Sequence, residues 1–141
     1  MFMAEHSKLP TLTFDYEYVG RGWAEARISD GVNSCSFAPS YVLNDPLGEL
    51  VEAVAALLRG EQEARCRWWN EPSEARWILR REGDALRISV LYFRDFQVTV
   101  NRPQIAESGK TAEFSTVCDF WKFAAKVRLY ASRFIASTED R

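Results

Sequence analysis

A helix bracketed by alternating strands is the pattern that most limits the folds open to this chain. In SYVLNDPLGELVEAVAALLRG, Ser40 to Gly60, the residues Leu47, Leu50, Val51, Val54, Leu57 and Leu58 recur at helical spacing and form one apolar stripe. Asn44 or Asp45 can cap its start, because a side-chain oxygen there accepts from the unpaired first-turn amides. Pro46 suits the first helical position, where its missing N–H costs nothing. Arg59 sits at the negative end of the helix dipole, and Gly60 can adopt the left-handed conformation that stops the helix.

Before this helix the chain alternates. Leu12, Phe14, Tyr16 and Tyr18 share one face, and Thr13, Asp15 and Glu17 share the other. After the Gly20-Arg21-Gly22 turn, Ala24, Ala26 and Ile28 alternate again. A three-residue loop there places Tyr18 opposite Ala24, Tyr16 opposite Ala26, Phe14 opposite Ile28 and Asp15 opposite Arg27. Both faces agree with this register, and a one-residue slip would reverse them all. Asp30-Gly31 is a hairpin signal; a two-residue loop there sets Ile28 opposite Asn33, Ala26 opposite Cys35 and Ala24 opposite Phe37.

The second half repeats the plan. Strands are predicted over Glu63 to Trp69, Ala75 to Arg81 and Leu86 to Phe93, with a fourth over Phe96 to Val100. Residues 101–113 carry turn chemistry and read as an exposed loop. A second helix is predicted from Ser115 or Thr116 to about Ser137, with Val117, Phe120, Trp121, Ala124, Val127, Ala131, Phe134 and Ile135 as its buried stripe. Phe123 and Tyr130 fall off that stripe, where they would cover the core's edge or form a homodimer contact. The expected fold is therefore a single α+β domain over residues 11–137, between an N-terminal arm (1–10) and a C-terminal tail (138–141). A mostly antiparallel sheet of about six or seven strands in the order βββα–ββββα would carry two helices on one face.

A 141-residue chain buries about two-thirds of its unfolded surface, enough for a core without disulfides or metal. The net charge of -2 argues against a nucleic-acid partner. No apolar run approaches the ~20 residues of a membrane-spanning helix. The N-terminus MFMAEHSKLP lacks the basic-then-apolar pattern of a secretory signal, and three scattered cysteines without a CxxC fit a reducing, cytoplasmic compartment.

Catalytic patterns are missing from the sequence. There is no GxxxxGK[ST], HExxH, GxSxG or helix-opening GxGxxG. His6, the sole histidine, lies in the N-terminal arm. No spacing supports a metal site, and no cofactor is expected. Cys35 and Cys66 fall on inward strand faces, as small apolar residues do. Cys118 sits near the predicted start of the second helix, where a thiol pKa is lowered. Asp15 and Glu17 share a strand face, either as an acid–base pair or as solvated carboxylates facing Arg27.

The feature that stands out is a basic sheet face. Pairing Trp68 with Trp77, and Arg81 with Leu86, puts Arg65, Arg80 and Arg87 in one row. Arg67 and Arg76 lie on the same face, beside Trp69 and Leu91. Like charges directly opposite each other are unfavourable. The row therefore implies counter-charges, with Glu63, Glu71, Glu74 and Glu82 available, or an acidic protein partner, Arg beside Trp also suiting a binding hot spot; a weaker alternative is a nucleic-acid binder, which basic residues beside stacking aromatics fit and the net acidic balance does not. A competing expectation is an enzyme or small-ligand-binding protein with a pocket between the sheet and the second helix, lined by Tyr16, Tyr18, Trp68, Trp77 and Trp121.

Asp45-Pro46-Leu47-Gly48, the leucine-rich helix ending in Arg59-Gly60, Trp68 or Trp69, the Glu71-Pro72 turn and Trp77 together resemble a pattern shared by small single-domain bacterial proteins. The resemblance covers roughly residues 20–95 and implies an α+β fold without an established activity. By analogy of size and fold class, immunity proteins that neutralise a toxin are the expected functional type: a non-enzymatic module using the arginine- and tryptophan-rich face.

Overall fold

In a computed structural model, residues 9–10, 12–42, 44–70, 73–94 and 107–139 of the chain are described. The elements run β1 (Thr13–Gly20), β2 (Trp23–Ser29), β3 (Ser34–Phe37), α1 (Pro46–Leu58), β4 (Glu63–Asn70), β5 (Ser73–Glu82), β6 (Ala85–Phe93), β7 (Phe114–Asp119) and α2 (Phe120–Glu139). This is the predicted α+β class, strand count and βββα–ββββα order, with antiparallel pairing between neighbouring strands. The strands divide into two sheets, β1-β2-β3 (sheet 1) and β4-β5-β6-β7 (sheet 2), where one had been expected. The Ser40 N–H donates to the Trp69 carbonyl at 2.8 Å and ties the chain just after β3 to the end of β4. Between β3 and the β4–β6 end a cavity of about 270 Å³ remains, lined by Cys35, Phe37, Trp68 and Tyr92 among others.

One core joins both sheets and both helices. Phe14, Tyr16, Ala24, Ala26 and Ile28 of sheet 1 face Cys66, Trp68, Trp77, Leu79, Leu86 and Ile88 of sheet 2. Leu50, Val54 and Leu57 of α1 and Phe120, Phe123 and Val127 of α2 complete it. Every inward residue is the one that strand alternation selects.

Two registers differ from expectation, each for a reason of turn chemistry. In sheet 1 the β1–β2 pairing is as expected, with Asp15 opposite Arg27. On β2–β3, however, Ile28 faces Cys35 and Ala26 faces Phe37. The cause is Asp30. Its Oδ1 accepts from the amides of Val32 (2.9 Å) and Asn33 (2.7 Å), and its own N–H donates to the Asn33 carbonyl. The loop therefore closes over four residues instead of two. On β4–β5, Trp68 faces Ala75 and Cys66 faces Trp77, because the chain turns tightly between Asn70 and Ser73, whose hydroxyl donates to the Asn70 carbonyl. Both slips are of two residues, so each side chain keeps its predicted face.

The second helix starts later than predicted. Phe114 to Asp119 form the strand β7 against β6, with Phe114, Thr116 and Cys118 buried and Ser115 exposed. Asp119 Oδ1 then accepts from the Lys122 amide and opens α2. Val117 is accordingly a strand residue. Phe123 belongs to the core and half-buried Tyr130 packs against its edge, their rings 5.9 and 5.7 Å from that of Phe14, while Trp121 and Ile135 are exposed. The strand expected at Phe96–Val100, residues 1–8 of the arm, and the final residues 140–141 lie outside the described residues.

At the start of α1 the cap and a glycine depend on each other. Asp45 Oδ1 accepts from the Gly48 amide at 3.0 Å, and a Cβ on Gly48 would collide with the Asp45 carboxylate. In a helix interior Gly→Ala gains about 1 kcal/mol, whereas losing an Asp cap costs about 1 kcal/mol. Gly48→Ala is therefore expected to leave stability near the wild-type value. In an Asp45→Ala background the same change should recover its gain of about 1 kcal/mol. Urea unfolding of the four proteins measures the coupling.

Candidate functional site

The outward face of sheet 2 holds the predicted arginines, and parity placed them there correctly. Their rows are shifted by the β4–β5 slip. Glu63, not Arg65, faces Arg80, which in turn faces Arg87. Arg65 faces Ile78, and Arg67 faces Arg76.

These side chains form an alternating chain of charge. Arg80 Nη2 donates to Glu63 Oε1 at 2.7 Å, and Arg65 Nη1 to Glu63 Oε2 at 2.8 Å. Arg65 donates again to Glu107 through Nε and Nη2 at 2.7–3.0 Å. Arg76 Nη1 reaches Glu107 Oε2 at 2.6 Å, and Arg76 Nε reaches Glu74 Oε2 at 2.7 Å. Arg67 closes the series with two bonds to Glu74 at 2.9 and 3.0 Å. Aromatic rings cover one end: the Arg67 guanidinium lies 5.1 Å from the Trp69 ring centroid, and that of Arg76 4.8 Å from Phe93.

Arg76 was expected to be exposed and is not. Its side chain, like that of Glu74, is 0% exposed. Burial of an arginine is tolerable when its donors are matched by carboxylates, and two carboxylates meet it here. Glu63 and Glu74 act as the counter-charges the sequence offered. Glu107 was missed, because residues 101–113 read as an exposed loop and nothing local marks a glutamate for a distant arginine. Arg87 and Arg80 remain outward, and Arg87 has no ion pair among the described residues.

The carboxyl groups in this chain are strongly held. Hydrogen bonds from Arg80 and then Arg65 keep Glu63 below the usual carboxylate range. Partial burial works to raise Glu107, but the bonds from Arg65 and Arg76 outweigh it and lower it too.

The expected aromatic pocket is filled by its own rings. Tyr16 packs 5.8 Å from Trp68, and Trp68 packs 4.8 Å from Trp77. The Trp68 indole donates to the Pro46 carbonyl at 2.7 Å. The Tyr16 and Tyr41 hydroxyls share a hydrogen bond of 2.5 Å, and burial followed by that bond raises the Tyr16 pKa far above its ordinary value. Tyr18 lies with Tyr41 and Phe134. Trp121 stands apart, its indole donating to Asp84 Oδ1 at 2.8 Å.

Cysteine chemistry is disfavoured by the surroundings. Cys118 lies on β7, not at a helix start, and burial followed by the Asp119 charge pushes its thiol up to about 12. Burial raises Cys66 and Cys35 as well. Among the described residues no group of three His, Cys, Asp or Glu is placed to hold a metal. No described helix is long and apolar enough to cross a membrane.

A second surface went unread in the sequence. The outward face of sheet 1 forms part of an open trough of about 920 Å³ lined by Asp15, Glu17, Glu25 and Arg27, with Tyr92 and Tyr130 beside them. Glu17 and Glu25 are direct cross-strand partners, and neither is ion-paired among the described residues. Tyr130 donates its hydroxyl to Asp15 Oδ1 at 3.1 Å. The cue was present: the predicted β1–β2 register already opposes Glu17 to Glu25.

No family model matches the chain, and no curated protein matches it. Among solved structures, a chain from a CdiA-CT/CdiI toxin and immunity complex from Enterobacter cloacae superposes with a TM-score of 0.54 and 9% identity, over 82% of this chain and 99% of that one. At that identity the likeness is one of fold.

Two outcomes follow from the charge chain. Arg76→Met strips buried Glu74 of one partner and is expected to cost about 3–5 kcal/mol, read as a lower urea midpoint. Glu63 and Glu107 have depressed pKa values, so their contribution is complete above the ordinary glutamate pKa of about 4.3 and fades as pH falls through the lower folded values. Glu107→Gln should therefore be less stable than wild type at neutral pH, with the gap closing on acidification below about pH 4. A gap constant down to pH 2 would contradict this account.

Proposed function

We propose that this chain is a non-enzymatic protein-binding module of the immunity type, and that its partner lays a basic segment along the acid-lined trough on sheet 1. The observation that carries the reading is the Glu17–Glu25 pair. Two carboxylates directly opposite on one face disfavour the free protein, and a cationic partner relieves that repulsion on binding. The trough is concave, and tyrosines of the kind enriched at interfaces stand at its side. A fold shared with a chain from a toxin and immunity complex supports a protein as the partner.

A second reading keeps the arginine face. Arg80 and Arg87 are like charges directly opposite each other, and they suit an acidic partner together with Arg65, Arg67 and Trp69. Most of that face is neutralised from within, which ranks it below the trough.

The two surfaces separate by charge reversal. Native-lysate capture with the wild-type chain is expected to recover a saturable partner that Glu17→Lys/Glu25→Lys loses by about a hundredfold in affinity. Arg80→Glu/Arg87→Glu should retain it. The reverse pattern moves docking to the arginine face, and equal recovery by all three baits removes both surfaces.

A further inference from the structure

The trough on sheet 1 continues past the sheet. Ser36, Phe37, Ala38, Asn70 and Tyr92 line both the trough and the cavity of about 270 Å³ between β3 and the β4–β6 end, so the two adjoin. The cavity lies where β3 stops after four residues, and Ala38, Ser73 and Ala75 on its lining are too small to fill it. Its walls are largely apolar, from Phe37, Pro39, Trp68 and Val90. The Trp68 indole N–H is already given to the Pro46 carbonyl at 2.7 Å, and the Ser73 hydroxyl to the Asn70 carbonyl at 2.8 Å. Tyr92, shared by both hollows, is 45% exposed.

Size and lining charge identify the occupant. A drug-sized ligand takes a pocket of about 300–1,000 Å³, so this cavity suits a single side chain. Among the described residues Glu113 is the one ionised group lining it. Glu113 is exposed and has no ion pair among the described residues. Its backbone N–H donates to the carbonyl of Val90, a wall residue, at 2.8 Å. Its charge reaches the half-buried Cys35 thiol on the same lining, which burial and then Glu113 hold above the ordinary range. In the trough Asp15, Glu17 and Glu25 outnumber Arg27, which faces Asp15. An acidic side chain would be repelled in both hollows, and an apolar one would leave Glu113 unanswered. An apolar stem with a cationic head meets the walls and the carboxylate together. Arginine suits better than lysine, because its planar guanidinium stacks on aromatic rings and matches a carboxylate with two parallel hydrogen bonds.

We propose that this cavity is the anchor pocket for the partner's basic segment: one arginine enters it from the trough, its stem against Phe37, Trp68 and Val90 and its guanidinium on the Glu113 carboxylate. The anchor rests on the reading of sheet 1 given above. It places the selectivity of that contact in the cavity, while Glu17 and Glu25 supply an attraction that any basic segment shares.

Titration of the full chain with capped lysine-rich peptides, followed by amide and methyl NMR shifts, tests it. One peptide carries a single central arginine; a second carries citrulline there, which keeps the shape and loses the charge. Both are expected to shift the resonances of Glu17 and Glu25, and the arginine peptide alone those of Ala75 and Val90. The wild-type chain should prefer arginine to citrulline by about tenfold, the scale of an interface hot spot. Glu113→Gln removes the carboxylate and Ala75→Leu fills the cavity. Each should bring that preference to within about twofold of unity with the trough shifts retained. Should Ala75→Leu lose its fold by circular dichroism, Glu113→Gln, a change at an exposed position, decides alone. Shifts at Glu17 and Glu25 with none at Ala75 and Val90 overturn the anchor and leave the trough standing. So does an arginine preference that survives the variants. Silence at both surfaces with both peptides removes the trough as well.

Discussion

The contact between Trp68 and Trp77 is the joint on which the rest of this fold turns. Their ring centroids are 4.8 Å apart, and neither ring retains appreciable exposure. Trp68 reaches Tyr16 on β1 and Phe37 on β3, and its indole N–H holds the first carbonyl of α1. Trp77 reaches Phe14 on β1 and Phe123 on α2. Two neighbouring side chains thus fix two sheets and two helices relative to each other. Aromatics bury about 150–250 Å² each and prefer tilted or edge-on approaches, so the cluster gains area and sets angles together. It also explains why Tyr16, Trp68 and Trp77 enclose no pocket with one another, because these rings are each other's packing partners.

With the inner face given over to rings, the outer face of sheet 2 settles its charge locally. Seven side chains alternate from Arg80 through Glu63, Arg65, Glu107, Arg76 and Glu74 to Arg67. A buried ion pair of this kind adds little net stability over an apolar substitute, yet loss of one member leaves an uncompensated buried charge. The arrangement therefore fixes which strand and segment lie where more than it strengthens the fold. It also places Glu107 against sheet 2.

Strand parity was legible because it depends only on alternation. Every arginine of the outer face and every large strand residue of the core lies on its predicted side. Register was less legible. It is set by loop closure, and the Asp30 carboxylate bonding Val32 and Asn33 favours four residues where Asp30-Gly31 alone suggests two. The two-residue slip left the faces intact and changed the neighbours, which put Glu63 rather than Arg65 beside Arg80. Strand β7 was lost inside a helical pattern because Val117, Phe120, Trp121 and Ala124 satisfy helical spacing. The period-two run Phe114, Thr116, Cys118 was the better guide. Glu107 had no local signature at all, since its arginine partners lie 42 and 31 residues away in sequence.

Opposed like charges on a strand face link this register to function. Like charges set opposite each other on a strand face require something to offset them, and for the arginines the protein itself supplies it through Glu63, Glu74 and Glu107. The same test applied to sheet 1 finds Glu17 opposite Glu25 in a concave surface, with Arg27 opposite Asp15 one rung away. On the arginine face four of the five guanidinium groups are paired and the excess is confined to the Arg80–Arg87 edge, while on the sheet 1 face Glu17 and Glu25 both stay without an ion pair among the described residues. Attraction for a partner follows that residual charge, not the number of charged residues on a strand. This moves the weight of the binding argument from the arginines of sheet 2 to the carboxylates of sheet 1.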